Sequence, residues 1–290
     1  MFDSIKKYYS LTKPGVLYGN ALTVAAGFFL ASTYQGVVDL GLFLAVFIGS
    51  SLIIASACVI NNFLDQDIDT LMERTKTRAL VAGTIKGYRA VIFSTILGLV
   101  GLAILILFTN SLVVWLGIIG FITYVLFYGM LSKRMSVHGT LVGSVSGAIP
   151  ILAGYTAVTG VIDVGAVIVF VILFVWQLPE FYSIAIYRLK EYKTAGVPVL
   201  PVVKGIKRTK IEIFIYTLLF VISSLLLTVF GYTGYIYSIV MAAMGGYWLW
   251  LAIKGFQATD SDRWARQMFG FSMIIILGFC VMVSVGPVLP

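Results

Sequence analysis

Charge is scarce in this chain. Only 11% of its 290 residues are Asp, Glu, Lys or Arg, where a soluble domain carries about 25%. That excludes an ordinary cytosolic enzyme. There are only two cysteines, Cys58 and Cys280. They fit neither a zinc site nor a disulfide framework, and both fall in apolar runs, where they read as small buried residues. There is one histidine, His138. A lone loop histidine reads first as an exposed side chain, with metal ligation or proton transfer as the alternative. The first twenty residues lack a short apolar core followed by a small-residue cleavage site, so no removable leader is expected. What the chain does have is 60% hydrophobic residues and a mean hydropathy of +1.02. The apolar residues form runs too long for globular core helices. The expected class is an all-α, polytopic membrane protein.

The net charge of +8 does not point to nucleic acid, because of where the bases lie. They form five clusters: Lys6–Lys13, Arg74–Arg89, Lys133–Arg134, Arg188–Lys210 and Lys254–Arg266. The four base-free intervals between them are 43 to 60 residues long, and 24 residues follow Arg266. A spanning helix needs about 20 residues. Each interval therefore holds an out-and-back pair and the tail holds one more span. This predicts nine transmembrane helices in a single domain over 1–290, with the N-terminus cytoplasmic and the C-terminus outside. The expected spans are 14–33, 40–62, 90–109, 112–131, 140–158, 164–182, 211–229, 235–252 and 268–285. Two long inner loops, 63–89 and 183–210, follow spans two and six and hint at related halves. Gly139, Gly143 and Gly147 are spaced for close helix packing or for a narrow wall beside a bulky substrate.

The chemistry gathers in those two loops. Asn61, Asp65 and Asp69 are spaced i, i+4, i+8 and share one stripe of a helix, with Asp67 on the other side. Stacked carboxylates repel, and oxygen ligands suit a hard divalent cation whose shell is completed by water and phosphate oxygens. Arg74 and Arg78 follow at i, i+4, with Lys76 between them. Acids that hold a metal beside guanidiniums form a candidate diphosphate site. The alternatives are a solvated acidic helix end and arginines that merely neutralise it. In the second loop Pro179 is expected to kink or end its helix. Glu180 is an acid near the membrane boundary, costly there unless paired or functional. Tyr187, Arg188, Glu191 and Tyr192 are expected to share a polar helix face. Glu191 is open between metal ligand, acid/base and a surface partner of Arg188. The segment 195–205, apolar and with two prolines, reads as a lid or interfacial segment. Lys133 and Arg134 form a third basic element.

Together these stretches resemble the UbiA superfamily of intramembrane prenyltransferases. The match runs through Leu11-Thr12-Lys13-Pro14, Asn61…Asp65…Asp69, Met72-Glu73-Arg74-Thr75, Arg78 and Lys133-Arg134. It continues through the Gly139…Gly154 stretch, Trp176-Gln177…Pro179 and Tyr192…Pro198-Val199-Leu200-Pro201-Val202. The last two narrow it to the haem-farnesylating branch. The chain departs from that branch at Glu180, where the branch usually has His, and at Glu191, which stands alone where the superfamily commonly has two aspartates.

The resemblance implies a UbiA-type helix bundle in the bacterial cytoplasmic (inner) membrane. It implies transfer of farnesyl from farnesyl diphosphate to a vinyl group of haem b with addition of water, giving haem O and diphosphate. By the same resemblance Asn61, Asp65 and Asp69 hold Mg²⁺, while Arg74, Arg78 and Lys133 offset charge on the leaving group. Glu191 and Tyr192 handle a proton or position water. Asn62, Arg134, Trp176, Glu180, Tyr182, Tyr187 and Arg188 are carried over as substrate contacts, the aromatics as cation stabilisers. Membrane lipid surrounds the enzyme, and product is passed toward a haem A synthase or terminal-oxidase assembly. Three other readings stay open at this point: another prenyl acceptor (an aromatic acid or quinone precursor), an ion path through intramembrane acids, and a haem-binding assembly factor.

Overall fold

A computed structural model describes residues 2–290, with side chains from Ser4 onward. A short amphipathic helix, α1 (Phe2–Leu11), precedes the first span, α2 (Pro14–Gln35). The chain continues through α3 (Leu40–Leu64), α4 (Gln66–Thr70), α5 (Gly87–Phe108) and α6 (Ser111–Ile122). A π-helix over Thr123–Ser132 and a single turn, α7 (Lys133–Met135), prolong α6. Then come α8 (Gly139–Thr159), α9 (Val164–Tyr187), α10 (Leu189–Thr194), α11 (Leu200–Val229), α12 (Tyr235–Lys254) and α13 (Ser261–Val285). Among the described residues, nine helices are long and apolar enough to cross a membrane.

The sparse polar residues on the side away from the basic clusters start helices. Asp39, Asn110 and Asp163 each accept a backbone N–H at the N-terminus of α3, α6 and α9, at 3.0, 3.1 and 2.9 Å. A side-chain oxygen there satisfies a donor the helix cannot. Asp260 does the same for α13 on the side of the basic clusters. Gly160, with φ of 69°, closes α8 in the left-handed region that favours glycine.

The expected spans stand, but several ends move. Helix α11 begins at Leu200, eleven residues before the expected Ile211, and passes through a break at Gly205. Helix α13 begins at Ser261 rather than Met268. In both, hydropathy marks the apolar stretch while the helix runs past it into the layer that carries the basic clusters. Pro179 does not end its helix: α9 continues to Tyr187. Pro179 is buried among the packed helices, where a proline within a span is tolerated.

Helix α2 packs against α8, α3 against α5, and α9 against α8, α11 and α13. The α2–α8 crossing is backbone to backbone. A Cβ at Gly154 would lie 2.0 Å from the Val24 carbonyl oxygen, and one at Gly27 would lie 2.0 Å from that of Ile151. Buried indole donors are satisfied across helices: Trp176 to the Ser272 carbonyl at 3.1 Å, Trp264 to Leu251 at 2.9 Å and Trp248 to Met268 at 3.3 Å. Helix α5 carries exposed Ile92, Ile96, Leu99, Ile106 and Leu107 toward lipid. Helices α2, α3, α6, α8, α9 and α13 enclose a central cavity.

Candidate active site

The cavity has a volume of about 930 Å³, toward the top of the range of about 300–1,000 Å³ for a small-molecule or cofactor site. Its charged groups are Lys13, Asp65, Asp69, Arg74, Arg78, Lys133, Glu180 and Arg188. Five cations against three carboxyls leave a positive surplus that suits an anionic ligand. The rest of the wall is largely apolar or aromatic, with Ile53, Leu116, Phe121, Leu173, Phe269 and Met273 among its members.

The acidic stripe is not one helix. Helix α3 stops at Leu64, and Asp65, at φ −89° and ψ 4°, is the hinge to α4. The 4-residue hydrogen-bond rhythm survives the hinge, from Asp65 N to the Asn61 carbonyl at 3.0 Å and from Asp69 N to that of Asp65 at 2.8 Å. Asn61, Asp65 and Asp69 therefore still face the cavity together, and all three are buried. Lys133 bonds one Asp65 oxygen, and Arg78 bonds Asp69 Oδ2 at 2.6 Å. Asp65 Oδ1 is buried with no partner. Lys13 donates to Asn61 Oδ1, and burial pushes the Lys13 ammonium down to about 8.

Arg74 and Arg78 do not share a helix face, because residues 71–86 are turns. Both still line the cavity. A different bond fixes the turn: the Thr75 hydroxyl, buried, donates to the Asp69 carbonyl at 3.0 Å. Lys76 leaves the site and pairs with exposed Glu73. Accordingly Arg78→Ala is expected to lower turnover about 10²-fold, the usual scale for one lost charge-stabilising donor, and Lys76→Ala less than twofold. Steady-state rates on both variants check this; equal losses would place Lys76 at the substrate.

Four of the expected contacts stand outside the cavity. Asn62 turns from it and donates to the Leu11 carbonyl at 2.8 Å, tying α3 to α1. Arg134 grips Asp67 through both oxygens, at 2.6 and 2.7 Å, and the Leu64 carbonyl at 2.6 Å. This guanidinium holds the Asp67 carboxyl down at about 2 and clamps α7 to the hinge. Tyr182 is core, its ring 6.3 Å from that of Tyr216. Glu191 is displaced because α9 ends at Tyr187 and Arg188 is a bend, so the expected four-residue polar face is broken. Glu191 accepts from Arg188 at 2.8 Å, leaving Oε2 buried without a partner.

Trp176, Glu180, Tyr187, Arg188 and Tyr192 do line the cavity. The Tyr187 ring already carries the Arg266 guanidinium 4.6 Å from its centroid and that of Arg188 at 5.4 Å. Val197, Pro198 and Val199 roof the end of the cavity beside α4, and Val197 packs on Ile68 and Met72. The 195–205 segment thus splits into a short cover and the first turns of α11. His138 is exposed at the start of α8. Gly139, Gly143 and Gly147 form a narrow wall: a Cβ at Gly143 would press the Tyr128 ring at 3.0 Å, and one at Gly147 would meet Gln177 Oε1 at 2.0 Å.

Three side chains at the site were not expected from sequence: Lys13, Tyr124 and Tyr128. The two tyrosines, with ring centroids 5.6 Å apart, project from the π-helix. Lys13 had only the signal of preceding the helix-starting Pro14. The tyrosines had none.

A divalent cation fits these residues in a limited way. Among the described residues, no three His, Cys, Asp or Glu side chains converge as a complete cage. Asp65 offers a free buried oxygen, and Asp69 commits only one of its two. Two carboxylates that leave most of the shell to phosphate and water match Mg²⁺ better than Ca²⁺ or zinc.

Residues 20–276 match the model of the UbiA prenyltransferase family. A protoheme IX farnesyltransferase of Yersinia enterocolitica is 50% identical over 97% of this chain and 94% of its own length. That of Photorhabdus laumondii is 48% identical over 99% and 97%. Among solved structures, a digeranylgeranylglyceryl phosphate synthase superposes with a TM-score of 0.81 at 22% identity, covering 99% of each chain. A UbiA homologue from Archaeoglobus fulgidus, bound to DMAPP and Mg²⁺, gives 0.72 at 17% identity over 96% and 99%. With a family model spanning most of its length and relatives sharing about half its residues end to end, this multi-pass membrane chain belongs to the UbiA prenyltransferase family.

Proposed function

We propose that this protein transfers the farnesyl group of farnesyl diphosphate to a vinyl group of haem b and adds water, yielding haem O and diphosphate. The observation that carries this reading is the polar head of the cavity. Asp65 and Asp69 each have one oxygen held by a base and one left over, ringed by five cations above an apolar, aromatic floor. Relatives about half identical over nearly the whole chain are named for that reaction, which supports haem as acceptor over an aromatic acid or quinone precursor.

Asp65 and Asp69 would hold Mg²⁺, which when bound supplies positive charge to the leaving diphosphate. Asn61 would join them through its amide oxygen, which keeps a second lone pair beside the one that accepts from Lys13. Arg74, Arg78 and Lys133 bind the diphosphate and offset the charge that grows as the farnesyl C1–O bond breaks. The stacked Tyr124 and Tyr128 rings lie on the same wall and offer π-faces to the allylic cation. The terminal vinyl carbon then bonds to C1, and water adds to the inner vinyl carbon. Val197–Val199 and the bundle keep water from the cation until that bond has formed. We place the enzyme in the bacterial cytoplasmic membrane as one domain, with its basic loops inside. The product stays lipid-soluble for hand-over to a haem A synthase or terminal-oxidase assembly.

The test is turnover by purified protein with haem b, farnesyl diphosphate and Mg²⁺, read by mass spectrometry. A haem heavier by farnesyl plus water, lost on adding EDTA, is the expected result. Diphosphate release with unmodified haem would move the acceptor elsewhere.

A further inference from the structure

Glu180 is a carboxyl inside a membrane span, on the wall of the cavity, and no hydrogen bond or ion pair among the described residues involves it. The other two carboxyls of the lining are committed, Asp65 to Lys133 and Asp69 to Arg78. His138 lies outside the lining, and Glu191 is held by Arg188. Glu180 is thus the one carboxyl among the described cavity residues that no cation pairs. It stands eight residues before Arg188, about 12 Å deeper along α9 at 1.5 Å per residue. That puts it away from the diphosphate end, on the stretch of α9 that also brings Trp176 and Phe181 into the lining. A side chain so placed, in a medium that penalises acids, calls for a use.

The proposed reaction contains a step that needs such a base. After the vinyl carbon has bonded to farnesyl C1, the inner vinyl carbon is cationic. A water oxygen donates a lone pair to it, and the resulting oxonium must lose a proton to become a hydroxyl. Diphosphate has left toward the opposite, cationic end of the cavity. We infer that Glu180 is the proton acceptor for this hydration: its carboxylate orients the water and takes the proton as the C–O bond forms. The neighbouring side chains are fixed around it. Gln177, one turn earlier, donates to the Leu173 and Ser144 carbonyls at 2.9 and 3.3 Å, and Trp176 is held by Ser272. They leave Glu180 as the lining carboxyl on this stretch of α9 free to meet substrate.

This inference rests on the proposed farnesyl transfer, so the experiment reads C–C bond formation and hydration separately. Wild-type, Glu180→Gln, Glu180→Asp and Glu180→His proteins are assayed for diphosphate release and for the mass of the haem product. In Glu180→Gln diphosphate release is expected to outrun hydrated product, whereas the wild type forms the two in step. The variant's hydrated product should fall about 100-fold relative to diphosphate, the scale of one lost general base, in favour of farnesylated haem in which the cation has instead shed a proton from the adjoining carbon to water, leaving an alkene. Glu180→Asp and Glu180→His, which keep a base, should restore hydration at least in part. Hydrated product from Glu180→Gln at the wild-type rate would overturn the assignment. So would parallel loss of diphosphate release and product in all three variants, which would mark a structural residue. Absence of farnesylated haem with the wild type itself would instead overturn the proposed function.

Discussion

Asp65→Asn is expected to abolish turnover, by about 10³-fold or more, while leaving the bundle folded. The substitution keeps the shape of the side chain and an oxygen for Lys133, but removes the anionic oxygen, Oδ1, that is buried without a partner. An amide is a poor ligand for Mg²⁺, and the loss of metal-assisted charge neutralisation alone is worth several kcal/mol in the transition state. Asp65→Ala should be equally inactive and also less stable. It would leave Lys133, only 18% exposed, without its counter-charge, and stranding one partner of a buried ion pair is strongly destabilising. The pair separates two roles of one carboxylate. Turnover reports the metal, and thermal denaturation in detergent reports the ion pair. Activity within tenfold of wild type in Asp65→Asn would remove Asp65 from the metal site.

The two substitutions bear on different links between sequence and structure. The Asp stripe is legible in sequence because its spacing is a property of backbone hydrogen bonding, and that rhythm persists through the hinge at Asp65. The nine spans are legible because bases cannot sit in lipid, so their clusters count the crossings. Arg74 and Arg78 show the limit of spacing. They are four residues apart, yet the segment is a set of turns fixed by the Thr75–Asp69 bond, which no periodicity announces. Arg134 shows a second limit. It looks like Lys133 in sequence, but one residue of rotation sends it to Asp67 on the outside of the hinge while Lys133 turns inward.

The tyrosines could not be found from periodicity at all. Tyr124 and Tyr128 are four apart on an apolar segment, as lipid-facing residues could be. They reach the cavity from a segment wound as a π-helix over Thr123–Ser132. Such widened turns recur at functional sites, but an unbroken hydrophobic run carries no sign of one. Lys13 was hidden in the opposite way. It sits in a basic cluster that topology already explains, and only its place before Pro14 brings it to Asn61. The break at Arg188 removed Glu191 from the cavity for a like reason: a helix end inside a polar stretch leaves no hydrophobic edge to read.

Gly154→Ala is expected to lower the melting temperature in detergent by about 10 °C, a large effect for one methyl group. Adding a methylene to a packed core costs about 1–3 kcal/mol when side chains can yield. Here the new atom would meet the backbone itself, 2.0 Å from the Val24 carbonyl oxygen and 2.9 Å from Phe28 N. Neither can swing away without separating α2 from α8, so the cost belongs at the upper end, and a kcal/mol is worth about 2–4 °C in a chain approaching this size. Gly27→Ala meets Ile151 from the other side of the same crossing and should behave alike. Because the two sites share one contact, the double variant should lose less than the sum. Gly246→Ala, in α12 with nothing within 4 Å, supplies the control and should be neutral or slightly stabilising. The crossing also sets the width of the cavity, since α2 carries Asn20 and Thr23, and α8 carries Gly147 and Pro150, on the same lining. Gly154→Ala assayed well below its melting point should therefore raise KM for the prenyl donor as the walls part. An unchanged melting temperature would mean that α2 and α8 do not meet backbone to backbone.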